Sequence, residues 1–130
     1  MAKNNIFRNI FKLRRFKDSL NLAIKGIIYL FLYHHNMRII FLSGIAVLLF
    51  GLYINLRGFE LVILCITITL VFMAEIFNTA IEIMFDMLTD KYHTSIKVVK
   101  DISAAVALIA VMNAIAVGYI LFVRKWPWFN

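Results

Sequence analysis

The sequence has a single cysteine, Cys65, so no disulfide can close within one chain and the redox compartment stays unread. Cys65 sits inside an apolar run, where packing is its expected role. Acidic residues are scarce as well, 7 against 14 lysines and arginines, for a net charge of +7. Over residues 1–38 the only acid is Asp18. It is set against Lys3, Arg8, Lys12, Arg14, Arg15, Lys17, Lys25 and Arg38, so this segment carries the whole excess. Several signatures of soluble catalysts are missing: no GxxxxGK[ST] loop, no kinase glycine loop, no nucleophile elbow, no HExxH and no CxxC. An enzyme built on this chain must therefore hold its reactants with scattered charges on short helices. The first 26 residues lack a clean apolar core and a small-residue cleavage site, so no signal peptide is expected. No internal repeat, Ser/Gly linker or low-complexity segment breaks the chain.

What fills the sequence is hydrophobic residues, 63% of the 130. Average usage is roughly 45–50% apolar, and a soluble domain of this size has no interior large enough for the surplus. An integral membrane protein with one membrane domain is the natural class. In that setting the basic N-terminal segment reads as attraction to anionic headgroups and retention on the cytoplasmic side, and no nucleic-acid partner is expected.

Within residues 1–38, Phe16, Leu20, Ala23, Ile24 and Ile27 recur at spacings of three and four. That is an amphipathic helix lying on the membrane surface, best formed from Phe16 to Tyr33, with Tyr29, Phe31 and Tyr33 at the interface. Ile39 to Leu56 is uncharged and spans about 27 Å as a helix, near the minimum for one crossing. Arg57-Gly58 marks a short turn, and a second span runs over 59–85. Residues 86–101 form a charged, partly helical connection. Ile102 to Val123 is a third uncharged span, closed by Arg124, Lys125 and the interfacial Trp126 and Trp128. The expected fold is all-α and integral to the cell's inner membrane: a surface helix (1–38) and transmembrane helices at about 39–56, 59–85 and 102–123. The N-terminus and the 86–101 loop face the cytoplasm.

The chemistry gathers between Glu75 and Asp101. Glu75, Asn78, Glu82 and Asp86 share one helix face, directly after a charge-free run from Leu61 to Ala74. Ionisable groups at the inner edge of a bilayer are expensive and point to function. The plainer alternative is that they anchor helix packing through hydrogen bonds. As a site, they suit a meeting of an amphiphile with a water-soluble reactant, one carboxylate accepting a proton and the other holding a divalent metal. Lys100 and Asp101 read either as interfacial flanking charges or as a phosphate clamp. His34 and His35 are adjacent and do not share a helix face, which argues against a metal pair. Asn113, mid-span, suits a hydrogen bond to another helix.

The segment Glu75-Ile76-Phe77-Asn78-Thr79-Ala80-Ile81-Glu82, followed by Asp86, Tyr92-His93 and Lys100-Asp101, resembles the small bacterial three-span lipid kinases: prokaryotic diacylglycerol kinase and undecaprenol kinase. Arg15, Ser19, Ala23, Gly26 and the Asn36-Met37-Arg38-Ile39 stretch match too, so the likeness covers roughly residues 14 to 123. The resemblance implies transfer of the γ-phosphoryl of ATP, with Mg2+, to a membrane lipid alcohol. Diacylglycerol, giving phosphatidic acid, is the first candidate and undecaprenol the alternative. It implies Glu75 as the base, Glu82 as a metal ligand, and Asn78 and Asp86 in support. ATP would be contacted by Arg15, Asn78, Glu82, Lys91, Tyr92, His93, Lys100 and Asp101. It further implies a homotrimeric bundle, which would supply neighbours for buried acids.

The sequence departs from the family pattern at His34, which stands where the resemblance implies a second metal-ligating glutamate. A neutral imidazole is a poorer magnesium ligand than a carboxylate. A catalytically impaired membrane subunit of the same fold is therefore a further alternative. His34→Glu is expected to lower the magnesium concentration that gives half-maximal rate; an unchanged magnesium dependence would place His34 away from the metal.

Overall fold

The computed structural model describes the backbone of residues 2–88 and 94–125, and side chains over 15–87 and 94–125. Four helices follow one another: α1 (Ala2–Tyr33), α2 (His35–Tyr53), α3 (Phe59–Leu88) and α4 (Thr94–Lys125). They fall into two compact units, Met1–His35 and Asn36–Asn130.

In the first unit, α1 is one unbroken helix whose described side chains from Arg15 to Tyr29 are all exposed, Phe16 and Leu22 among them at about two-thirds. Tyr29 leans on Tyr33 with ring centroids 4.7 Å apart. His34 alone interrupts the helical run, and even there its amide donates to Leu30 O at 2.9 Å.

The second unit holds α2, α3 and α4, each long and apolar enough to cross a membrane. Only between 6% and 17% of their most apolar stretches is buried inside the chain. An aqueous solvent would penalise that exposure at roughly 25 cal/mol per Å² of apolar surface, so the medium these helices fit is hydrocarbon. One apolar cluster sits at the end of the bundle near the α2–α3 turn: Leu56, Leu64 and Leu121, with Leu48, Ile54, Val117 and Phe122 packed against them. Phe50 meets Phe122 edge to face at 5.2 Å. Hydroxyls inside the apolar spans are consumed by their own helix: Thr67 Oγ1 donates to Ile63 O, and Thr69 Oγ1 to Cys65 O, each at 2.8 Å.

The helix limits correct the sequence reading in two places. The first apolar helix stops at Tyr53, not at the end of the uncharged run at Leu56. The reason is a C-cap. Asn55 adopts a left-handed φ of 62°, its amide donates to Leu52 O at 3.1 Å, and the Leu56 amide reaches back to Gly51 O at 2.9 Å. That is the Schellman pattern, and its accompanying apolar contact is Leu56, 1% exposed, lying over Gly51. Gly58 takes a second positive φ of 55° before α3 starts. The other concerns the partly helical connection: α4 begins at Thr94, well before the uncharged run at Ile102, so Lys97, Lys100 and Asp101 ride on that helix.

α3 and α4 pack against each other as an antiparallel pair pinned at both ends. Lys125 Nζ meets Glu60 Oε2 at 3.1 Å at one end, and Lys100 Nζ meets Asp86 Oδ1 at 2.6 Å at the other. Asn55→Gly is expected to leave stability within about 0.5 kcal/mol of the parent, whereas Asn55→Ala should cost about 1 kcal/mol for the left-handed Cβ. Unfolding midpoints in detergent measure this, and equal losses from both would remove the cap as the reason α2 stops.

Candidate active site

At one end of the α3–α4 pair, polar side chains converge in the order that α3 lays them out. Asn78 is the hub. Its Nδ2 donates to Glu82 Oε1 at 3.3 Å, one turn along the same helix, while its Oδ1 accepts from Ser103 Oγ on α4 at 2.8 Å. A carboxylate only accepts, so Glu82 fixes which way the amide faces, and the amide in turn fixes the hydroxyl. The single proton of Ser103 lies between Asn78 Oδ1 and the Lys100 carbonyl, also at 2.8 Å. Ser103 is 2% exposed, whereas Asn78 is half-buried and Glu82 exposed, so the joint is dry only on its α4 side. One turn further out, Lys100 Nζ holds Asp86 Oδ1, with side chains 37% and 68% exposed. Solvent reaches that pair, so its worth to stability is at most about 1 kcal/mol.

Glu75 lies one turn deeper than Asn78 and is half-buried, whereas Glu82 is exposed. Measured from the Glu60–Lys125 clasp, Glu75 is about 22 Å along α3 and Glu82 about 33 Å. A hydrocarbon core about 30 Å thick, starting at that clasp, leaves Glu75 inside and Glu82 at the opposite face. The two carboxylates thus straddle a boundary between apolar and aqueous surroundings. A group in the membrane and a group from water can meet there.

The candidate residues separate as follows. Glu75, Asn78, Glu82 and Asp86 line one side of α3, with Lys100 and Asp101 at the start of α4. Lys100 pairs with Asp86 across the helices, not with its neighbour Asp101, which is exposed. Arg15 and His34 belong to the first unit, where Arg15 is exposed and His34 sits 6.0 Å from the Tyr29 ring. Lys91, Tyr92 and His93 lie outside the described residues. Among the described residues, no group of three or more His, Cys, Asp or Glu side chains comes together as a metal cage. Ser103 escaped the sequence reading. Its only signal was a lone hydroxyl three residues after Lys100, at the mouth of an uncharged run facing an asparagine that needed a partner.

Three apolar helices of membrane-crossing length, with a carboxylate–amide–hydroxyl network at one end, define a multi-pass helical membrane protein with an interfacial polar site. The chain belongs to the prokaryotic diacylglycerol kinase family, whose model matches residues 21–122. That match takes in every candidate residue except Arg15. It is similar to a diacylglycerol kinase of Synechocystis sp., with 33% identity over 77% of this chain and 58% of the relative. It is also similar to the undecaprenol kinase of Bacillus subtilis, with 35% identity over 88% of this chain and 93% of the relative. The chain thus spans little more than half the length of the first relative and nearly all of the second. The family is one of lipid kinases.

Ser103→Ala deprives half-buried Asn78 Oδ1 of its donor and is expected to cost about 1 kcal/mol. Equilibrium unfolding in mixed micelles measures it. Parent-like stability would mean that the serine does not tie α4 to α3.

Proposed function

We propose that this protein transfers the γ-phosphoryl group of ATP to the hydroxyl of a membrane lipid alcohol at the cytoplasmic face of the inner membrane. The observation that carries the reading is the polar side of α3, with half-buried Glu75 one turn below the Asn78–Glu82–Ser103 network and Lys100 close by. Family membership supports the reaction class. Diacylglycerol is the first acceptor considered. Undecaprenol is the second, favoured by the relative whose length this chain covers almost completely.

In this mechanism the lipid hydroxyl lies at Glu75. The carboxylate takes its proton as the oxygen attacks the γ-phosphorus, and the bond to the β,γ-bridging oxygen breaks to release ADP. Glu82, an exposed carboxylate held by Asn78, fits a magnesium ion, because that ion is commonly bound by one or two carboxylates together with substrate phosphates and water. The bound ion would neutralise charge on the transferring group. Lys100 exchanges Asp86 for a phosphate oxygen, and Asp101 holds the nucleotide beside it. Catalysis is then chiefly positioning and charge neutralisation. The excess of lysine and arginine over residues 1–38 supports a cytoplasmic N-terminus. A homotrimer would cover the exposed sides of α2, α3 and α4.

Purified protein given ATP and magnesium is expected to phosphorylate diacylglycerol or undecaprenol, and Glu75→Gln to lower the rate by at least about a hundredfold, as loss of a general base does. The two lipids are assayed side by side. Wild-type protein inert toward both would end this reading, and failure to bind ATP in detergent would assign the chain to a non-catalytic subunit.

A further inference from the structure

The Ser103 hydroxyl lies 2.8 Å from two acceptors, the Lys100 carbonyl of its own helix and Asn78 Oδ1 on α3. It has one proton to give. Bonding back to Lys100 O would by itself satisfy the serine, as the same kind of bond satisfies Thr67 and Thr69 on α3. The second contact therefore answers a need of Asn78. That amide has a fixed sense. Turned the other way, Asn78 Oδ1 would face Glu82 Oε1 with no proton between the two acceptors. With Nδ2 given to Glu82 at 3.3 Å, Oδ1 is left to find a donor across on α4, and buried Ser103 supplies it. Glu82, at the far end of this chain of bonds, is exposed. Among the described residues its one hydrogen bond is that accepted by Oε1, so Oε2 stays open to solvent.

We propose that Ser103 is a positioning residue: through Asn78 it holds the Glu82 carboxylate ready for a divalent cation. This rests on the kinase reading only for the cation at Glu82. A free glutamate turns about several side-chain bonds, and a cation that captures it must stop them all. Held in advance through Oε1, the carboxylate gives up less freedom on binding and keeps its other oxygen available. The donor set makes that restraint count. Among the described residues no three His, Cys, Asp or Glu side chains gather as a cage, so a cation here depends on few protein ligands, completed by phosphate and water. With few ligands, the orientation of each matters more. Ser103 reaches the cation only through Asn78 and Glu82. Partners of this outer kind typically change metal affinity by about 10–100-fold when removed.

The test titrates Mn2+ alone, as a paramagnetic stand-in for Mg2+, into full-length protein in phosphatidylcholine nanodiscs and reads free Mn2+ by electron paramagnetic resonance. Binding is read directly, so no turnover is needed. The part of the binding that Glu82→Gln removes belongs to Glu82. Ser103→Ala is expected to raise the Kd of that part by about tenfold. Asn78→Ala breaks the same link from the other side and is expected to do likewise. In the Asn78→Ala background, adding Ser103→Ala should then change nothing further, because the serine acts through the amide. A serine that only supported helix packing would weaken binding again in that background, and this result would overturn the proposal. Parent-like affinity in Ser103→Ala would overturn it too, leaving the kinase reading untouched. Binding that Glu82→Gln does not weaken would move the cation away from Glu82, and the kinase reading's metal ligand would fall together with the proposal.

Discussion

A bilayer offers no hydrogen bonds, so each polar group that α3 and α4 carry at membrane depth must find its partner in protein. This constraint organises what is seen. Threonine hydroxyls fold back onto their own helices. Ser103 crosses to Asn78, and Asn78 passes the bond on to Glu82. The charged pairs Glu60–Lys125 and Asp86–Lys100 sit at the two ends, where water can share the cost of desolvation. With both ends and one internal joint fixed, the α3–α4 register is set, and the depth of Glu75 with it.

That register gives the pair its chemical character. The same side of α3 is apolar from Leu64 to Val71 and polar from Glu75 to Asp86, so it changes solvent partway along a rigid helix. An amphiphile has the same change built in. A reaction between its head and a nucleotide needs little more than fixed charges on both sides of the boundary, because phosphoryl transfer depends mostly on alignment and on neutralising the transferring group. The absence of any phosphate-binding loop in the sequence fits such a site.

Much of this was legible from residues alone, for identifiable reasons. Long uncharged runs mark membrane-length helices because hydrocarbon tolerates few charges, and the i, i+3, i+7, i+11 spacing of Glu75, Asn78, Glu82 and Asp86 implies a shared side because helix geometry is local. Helix ends were less legible. The uncharged run past Tyr53 hid a left-handed Asn55, whose cap depends on Leu56 closing over Gly51, and the charged, partly helical 86–101 stretch gave no sign that its helix starts at Thr94 and runs unbroken into the apolar span.

Composition and periodicity thus determined an all-helical chain, its apolar spans and the polar residues that share one side of α3, since each of those follows from neighbours within a few helical turns. Pairings between elements were decided only by the tertiary structure. Lys100 bonds to Asp86 and not to Asp101, Ser103 joins Asn78, and three helices line an open apolar groove. Each of these joins residues distant in sequence, and which of them meet depends on how one helix slides and turns against another. A single rung of sliding would have given different partners.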